Sequence, residues 1–359
     1  MRAAAAHFHV IDLIKAVACN LIVLHHLAFY GPMSDVARPL NPELFEWLED
    51  HARVAVHAFL AMGGFLAAKS LAGAKAAVAP AHALAQRFLK LVPPFMVAML
   101  LAVAASLLAS AWMTHDSISP PPTLGQVVAH AFLLHGVLGY ESLSAGAWYV
   151  AIDFQLFAML TVILWLTRRG PRWLAPAAVA GGAAASLMVF NLDPAWDVWG
   201  LYFFGSYALG ALAWWASEHS RDALGAAILT GVIMLLGGVA LEFAFRSRIT
   251  LALATALLLV LACRGGLRLP ARSLPLASFL GRISYAVFLV HFPVCLVVNA
   301  AFIRFAPAIP EVQAAGMLLA WAASIGAGAA FHRWVELPLA SLSPARRGSG
   351  NAVPAAVVN

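Results

Sequence analysis

About ten stretches of roughly 20 mainly apolar residues punctuate this chain of 359, and each is long enough to cross a bilayer. They lie near 11–30, 52–72, 88–113, 145–167, 173–190, 198–216, 223–243, 247–263, 278–302 and 313–335. Hydrocarbon offers no water to bond backbone N–H and C=O groups, so such a segment must satisfy them internally, as an α-helix does. The composition agrees: 63% of residues are hydrophobic and 11% charged, where soluble domains carry about 25% charge. The expected fold is an all-α integral membrane protein, a bundle of about ten transmembrane helices in one domain over residues 1–340. The stretch 124–138 is too short to span and reads as an interfacial or re-entrant helix; the turn-rich tail, 341–359, reads as disordered. The first apolar run outlasts a signal core and has no small-residue cleavage site, so no cleavable signal peptide is expected.

Charge sidedness gives an orientation. Lys69, Lys75, Arg87 and Lys90, then Arg168, Arg169 and Arg172, then Arg221, then Arg264, Arg268 and Arg272, and last Arg346 and Arg347 fall on one side of a ten-helix chain. By the positive-inside rule that side is cytoplasmic, and both termini share it. The opposite connections are acidic or sparse, with Asp35, Glu43, Glu46, Glu49 and Asp50, then Asp116 and Glu141, then Asp193 and Asp197. Arg246 and Arg248 run against the trend. This sidedness accounts for the net charge of +6 without a nucleic-acid partner. Cys19, Cys263 and Cys295 fall at unrelated places within spans and suggest neither a disulfide framework nor a thiolate metal site.

Ionisable groups at bilayer depth are costly unless paired or solvated, which makes them candidates for function. The first span carries Asp12, Lys15, His25 and His26. Lys15 and His26 are eleven residues apart, close to three helical turns, so they share a face at roughly 16 Å separation. Asp12 and Lys15, three apart, could equally be an ion pair that anchors a helix end. Following the alternation of spans, Asp12, Lys15, Arg87, Lys90, Arg282, Arg333 and Glu336 lie near cytoplasmic ends, and His25, His26, His57, Asp153 and His291 lie in outer halves. The inner layer of cations suits a phosphate-bearing donor, and the outer imidazoles suit proton transfer. His25 points about 100° away from His26, and no His-Glu-x-x-His pattern occurs, so no metal is expected. Arg87 and Lys90 also read as positive-inside anchors, and Trp148 and Tyr149 as interfacial aromatics.

These residues fall into an ordered set. Asp12 and Lys15 followed by ten residues and His26, Phe59 with Gly64-Phe65-Leu66, Arg87 and Lys90 before Pro93, and Trp148 through Asp153 to Gln155 come first. Phe203-Phe204-Gly205 with Gly210, Gly281 through Ser284 and Tyr285 to His291, and Glu336 before Pro338 complete it. The set resembles the signature elements of the acyltransferase family 3 membrane proteins over residues 10–340. Four positions depart from the family pattern: Lys15 stands for arginine, Asp153 for glutamate, Gly63 for serine and His57 for aspartate. Lysine keeps the charge but lacks the planar fork that grips phosphate.

The resemblance implies transfer of an acyl group, acetyl by family frequency, from cytoplasmic acyl-CoA to a hydroxyl of a cell-envelope glycan, glycolipid or related acceptor. It places the enzyme in the bacterial inner membrane, with acyl-CoA as co-substrate, no resident cofactor and no indicated oligomeric state. Lys15, Arg87, Lys90 and Arg282 would bind donor phosphates. His26 would act as general base or as nucleophile, Asp153 would hold its tautomer, and His25 would assist. Asp12, Trp148, Ser284, Tyr285, His291 and Glu336 would be supporting groups. A transporter or flippase for a lipid-linked or small polar substrate would also need many spans and buried charge; the lack of an evident internal repeat counts against the inverted-repeat kind.

Overall fold

The computed structural model describes residues 2–72, 79–218, 222–265, 267 and 274–342, and among them no strand occurs. The long helices are α1 (Arg2–Phe29), α4 (Val56–Leu71), α5 (Pro80–Ser110), α7 (Ala147–Thr167), α8 (Leu174–Met188), α9 (Gly200–Glu218), α10 (Ala223–Phe243), α11 (Ser247–Cys263), α12 (Leu274–Phe305) and α13 (Pro310–Phe331). Short helices α2 (Pro32–Ala37), α3 (Pro42–Asp50), α6 (Leu124–Ala131) and α14 (Leu337–Leu342) lie between or after them. The helix α6 is the interfacial or re-entrant candidate, and its eight residues are too few to span. Lys75, Arg221, Arg268, Arg272, Arg346 and Arg347 lie outside the described residues, as does the tail beyond Leu342.

Eight of the described segments are long and apolar enough to cross a membrane. Of the ten expected spans, α9 and the shorter α11 are not among these eight. The reason for α9 is its surroundings: Tyr202, Phe203, Phe204, Tyr207, Leu209 and Leu212 are all buried, so it is solvated by protein and its glycines, serines, tyrosines and tryptophans need not match lipid.

The chain divides into two compact units. Unit 1 comprises Met1–Ala18, Val54–Ala85 and Ala151–Gly281. Its centre is the α4–α9 pair, in which a side chain at Gly64 would collide with the Tyr207 carbonyl and one at Gly210 with the Ala61 carbonyl. Small residues at these points allow the backbones to touch, the usual way helices gain contact where lipid is as apolar as leucine. Ser186 of α8 donates to the Leu201 carbonyl at 2.7 Å and accepts from the Gly205 N–H at 2.8 Å. Arg246, one of the two arginines against the charge trend, donates to the carbonyls of Leu187 (3.0 Å), Ala240 (3.0 Å) and Ala244 (3.1 Å) and to the Asn191 side chain (2.8 Å). It therefore adds donors to the carbonyls at the ends of α8 and α10. Arg248 donates to the Asn191 carbonyl at 2.9 Å and lies 4.9 Å over the Tyr202 ring. These two cations serve helix ends, which a charge-counting rule cannot register.

Unit 2 comprises Cys19–Arg53, Gln86–Val150 and Arg282–Asn359. Here the axis is α12, which presents His291, Cys295 and Asn299 one turn apart on one face. Asn299 seizes the corner that follows α1: its Oδ1 accepts from the Met33 N–H at 3.1 Å and its amide donates to the Cys295 carbonyl at 3.0 Å. Gly31 makes that corner at φ +145°, and the Asn299 amide occupies the place where a side chain on Gly31 would go. Only glycine meets both demands. On α13, Gly316 yields to Phe302 and Met33, and Gly328 yields to Val287. After α13 the helix widens into a π turn, His332–Glu336.

Candidate active site

Unit 2 gathers a cluster of buried imidazoles at the end of α1. His25 and His26 are each 8% exposed, and His291 of α12 is 0% exposed. As the 100° step between neighbours on a helix requires, the two adjacent histidines find different partners. His25 Nδ1 donates to the Leu48 carbonyl of α3 at 3.0 Å. His26 Nδ1 lies 2.6 Å from His291 Nε2. The His26 and His291 rings are 9° from parallel with centroids 4.9 Å apart. Tyr30 sets its ring edge-on to His26, with centroids 5.4 Å apart, and packs in turn against Phe292.

His291 is itself anchored. Its Nδ1 donates to the Phe288 carbonyl at 2.8 Å and the Val287 carbonyl at 3.2 Å, one turn back on its own helix. The family-like element that begins at Gly281 thus delivers three supporting contacts in unit 2. The Ser284 carbonyl accepts from Cys19 Sγ at 3.4 Å, the Tyr285 hydroxyl donates to the Leu91 carbonyl at 3.3 Å, and His291 reaches His26. Tyr149, beside Trp148, sets its ring 5.2 Å from Phe288. Glu336 accepts from His332 Nδ1 at 2.8 Å within the π turn, a helix irregularity often found at functional sites.

The other expected site residues divide between the units. Arg87, Lys90 and Arg282 belong to unit 2, whereas Asp12, Lys15 and Asp153 belong to unit 1. In unit 1, the Asp12 backbone fills the place where a side chain on Gly281 would go. Asp153 is 6% exposed, and a side chain on Gly63 would meet Tyr207 at 3.3 Å and the Asp153 carboxylate at 3.7 Å. His57 Nδ1 lies 2.9 Å from the Ser206 hydroxyl. His291 stands within hydrogen-bond distance of His26 Nδ1, although its sequence reading went no further than support.

Reading the sequence also missed a second histidine pair. His130 of α6 and His135 just beyond it are both 0% exposed, with rings 8° from parallel and centroids 4.0 Å apart. His130 Nδ1 donates to the Gln126 carbonyl at 2.8 Å, and its Nε2 accepts from the Leu143 N–H at 3.2 Å. Neither nitrogen of His135 meets a partner among the described residues. Burial, reinforced by His130, pushes the His135 imidazole down to about 4, and burial also lowers His130. The five-residue spacing of two histidines in a short apolar stretch was the available signal. Asn299 was visible as the third member of the His291–Cys295–Asn299 stripe. Among the described residues no three His, Cys, Asp or Glu side chains converge as a metal cage.

A family model described as an acyltransferase domain matches residues 8–331. No curated protein and no solved structure matches this chain.

Proposed function

We propose, from the premise that this chain belongs to the acyltransferase family 3 membrane proteins, that it carries an acyl group, acetyl in the first instance, from cytoplasmic acyl-CoA to a hydroxyl of a cell-envelope glycan, glycolipid or related acceptor. Membrane acyl transfer is the family's activity; to it we add the donor, the acceptor and a bacterial inner-membrane location with cytoplasmic termini. The observation that carries the mechanism is the buried His26–His291 contact at 2.6 Å. It supports His26 as a neutral, oriented base, because its partner is another imidazole and a backbone-anchored one.

In the proposed step His26 takes the proton of the acceptor hydroxyl as the oxygen attacks the thioester carbonyl. The tetrahedral intermediate expels the thiolate of CoA, which receives a proton from the imidazolium, leaving an ester and free CoA. Arg87, Lys90 and Arg282 of unit 2 supply cations suited to the donor's phosphates, and Lys15 takes the same role on the family resemblance alone. The roughly 16 Å from Lys15 to His26 along one helix suits the extended pantetheine arm. Positioned proton transfer of this type is worth about 10²–10⁴-fold.

The test is thiol release from acetyl-CoA by purified protein in liposomes, with envelope glycan supplied as acceptor and acetylated product followed by mass spectrometry. Thiol release coupled to acetylated acceptor, lost in His26→Ala, is the expected result. Movement of acceptor across the bilayer with no free thiol formed would replace this reading with transport.

A further inference from the structure

We infer that His291 is the positioning residue that fixes the tautomer of His26, holding the proton on His26 Nδ1 and leaving the reactive lone pair on Nε2. The inference rests on the reading of His26 as the base, and it follows from where hydrogen can sit along one chain of contacts. The chain starts at the carbonyls of Phe288 and Val287, which can only accept. His291 Nδ1 faces both, at 2.8 Å and 3.2 Å, so it carries the hydrogen. A neutral His291 then has a bare Nε2. That atom is 2.6 Å from His26 Nδ1, and a contact this short between two nitrogens needs one hydrogen between them. His26 Nδ1 must supply it. The neutral His26 ring is left with its lone pair on Nε2.

Two other arrangements fail on the same contacts. Moving the hydrogen to His291 Nε2 as a neutral tautomer would strip Nδ1 and point its lone pair at two carbonyl oxygens. Protonating both nitrogens of His291 would put a cation at 0% exposure with backbone carbonyls as its acceptors, and an isolated buried charge is costly. The rings also have the geometry that transmission needs. With centroids 4.9 Å apart and planes 9° from parallel, they meet edge to edge, so the Nδ1–H bond points along the His291 lone pair. When His26 accepts a proton from the acceptor, the imidazolium keeps that same partner, and the backbone carbonyls behind His291 polarise it to receive more charge. This is the role a carboxylate fills behind the histidine of a hydrolase triad, here filled by a neutral ring.

His25 competes for nothing in this chain, since its Nδ1 is given to Leu48. The corner held by Asn299, two turns along α12, keeps the end of α1 in register with His291.

The experiment uses the full chain in liposomes with ¹⁵N-labelled histidine, the His26 signals being identified by subtraction of a His26→Gln spectrum. The expected wild-type spectrum shows His26 protonated at Nδ1 and bare at Nε2. His291→Gln, whose carboxamide oxygen can lie near the lost Nε2, is expected to keep that tautomer and to stay within a few-fold of wild-type kcat. His291→Leu is expected to release the tautomer into a mixture and to lower kcat about ten- to a hundredfold, comparable with loss of the group behind a metal-bound histidine, with KM for acetyl-CoA unchanged. A wild-type His26 protonated at Nε2 overturns the proposal. So does a His291→Leu protein that keeps both the Nδ1–H form and full turnover. If instead the spectra are as expected and His26→Ala turns over normally, it is the base assignment that falls and the tautomer lock that stands.

Discussion

The His26–His291 and His130–His135 pairs both set two buried rings almost parallel, with interplanar angles of 9° and 8°. They differ in how the rings meet. In the first, nitrogen faces nitrogen at 2.6 Å and the centroids stand 4.9 Å apart. In the second the centroids close to 4.0 Å and the faces overlap, while the His130 nitrogens turn away to the Gln126 carbonyl and the Leu143 N–H. An edge-to-edge pair passes the position of a proton from one ring to the next; a face-to-face pair offers dispersion contact and nothing that reports protonation except repulsion. Two buried imidazole pairs in one unit therefore suit different tasks, the first chemistry and the second packing.

The largest expected effect separates them outright. His26→Ala should lower acyl transfer by about 10²–10⁴-fold, while His135→Phe, which keeps a flat ring against His130, should leave turnover within a few-fold. Thiol release from acetyl-CoA reads both. Equal losses from the two substitutions would erase the distinction between a reactive pair and a packing pair. A smaller loss is expected from Asn299→Ala, which removes both the acceptor for the Met33 N–H and the donor to the Cys295 carbonyl. Its cost is one to two hydrogen bonds at about 0.5–1.5 kcal/mol each, read as a lower melting temperature, with a drop in kcat that follows from looser registry of α1 on α12. A kcat loss as deep as that of His26→Ala would make Asn299 part of the reacting site.

Much of this was legible from residue order alone. The helical spans announce themselves through length and apolarity, because lipid leaves the backbone no alternative. The divergence of His25 from His26 is also a local matter, settled by the helical repeat. The His26–His291 contact is not local: the two residues are 265 apart in sequence, and no periodicity links α1 to α12. Depth sorting placed both in the outer layer and could go no further, since depth is one coordinate of three. Helix α9 reads as an ordinary span in the sequence for a related reason. Hydropathy describes the solvent a helix would tolerate, and the environment of α9 is other helices, reached through Gly64 and Gly210. Arg246 shows the converse, a cation whose partners are carbonyls brought to it by the ends of α8 and α10.

The stacked pair should also show itself in acid. Burial and the neighbouring His130 push the His135 imidazole down to about 4, and burial lowers His130 in the same direction, against about 6.5 for an unfolded histidine. Between those values the unfolded chain holds more protons than the folded one, so stability contributed by the neutral stack is full above pH ~6.5 and is lost as pH falls toward ~4. Melting temperatures at neutral pH and at pH ~4.5, compared between wild type and His135→Phe, measure it. The wild type should lose more on acidification than the variant. Identical pH dependence would show that the stack is indifferent to charge, and the packing role assigned to it would then rest on contact alone.

The smallest effect belongs to His25, and it tests the comparison at its narrowest point, between neighbours in sequence. His25 and His26 share the same burial, 8% exposed, and their rings lie 5.2 Å apart. What differs is the partner, a carbonyl of α3 for one and an anchored imidazole for the other. His25→Ala removes one hydrogen bond to the Leu48 carbonyl and one ring face against Phe29, so a stability loss of about 1 kcal/mol is expected and turnover should fall by no more than a few-fold. His25→Asn, whose amide can donate toward the same carbonyl, should recover most of that stability. If His25→Ala silenced transfer as deeply as His26→Ala while the protein remained folded, burial and proximity alone would be enough for function, and the proton chain through His291 would not be what distinguishes the two rings.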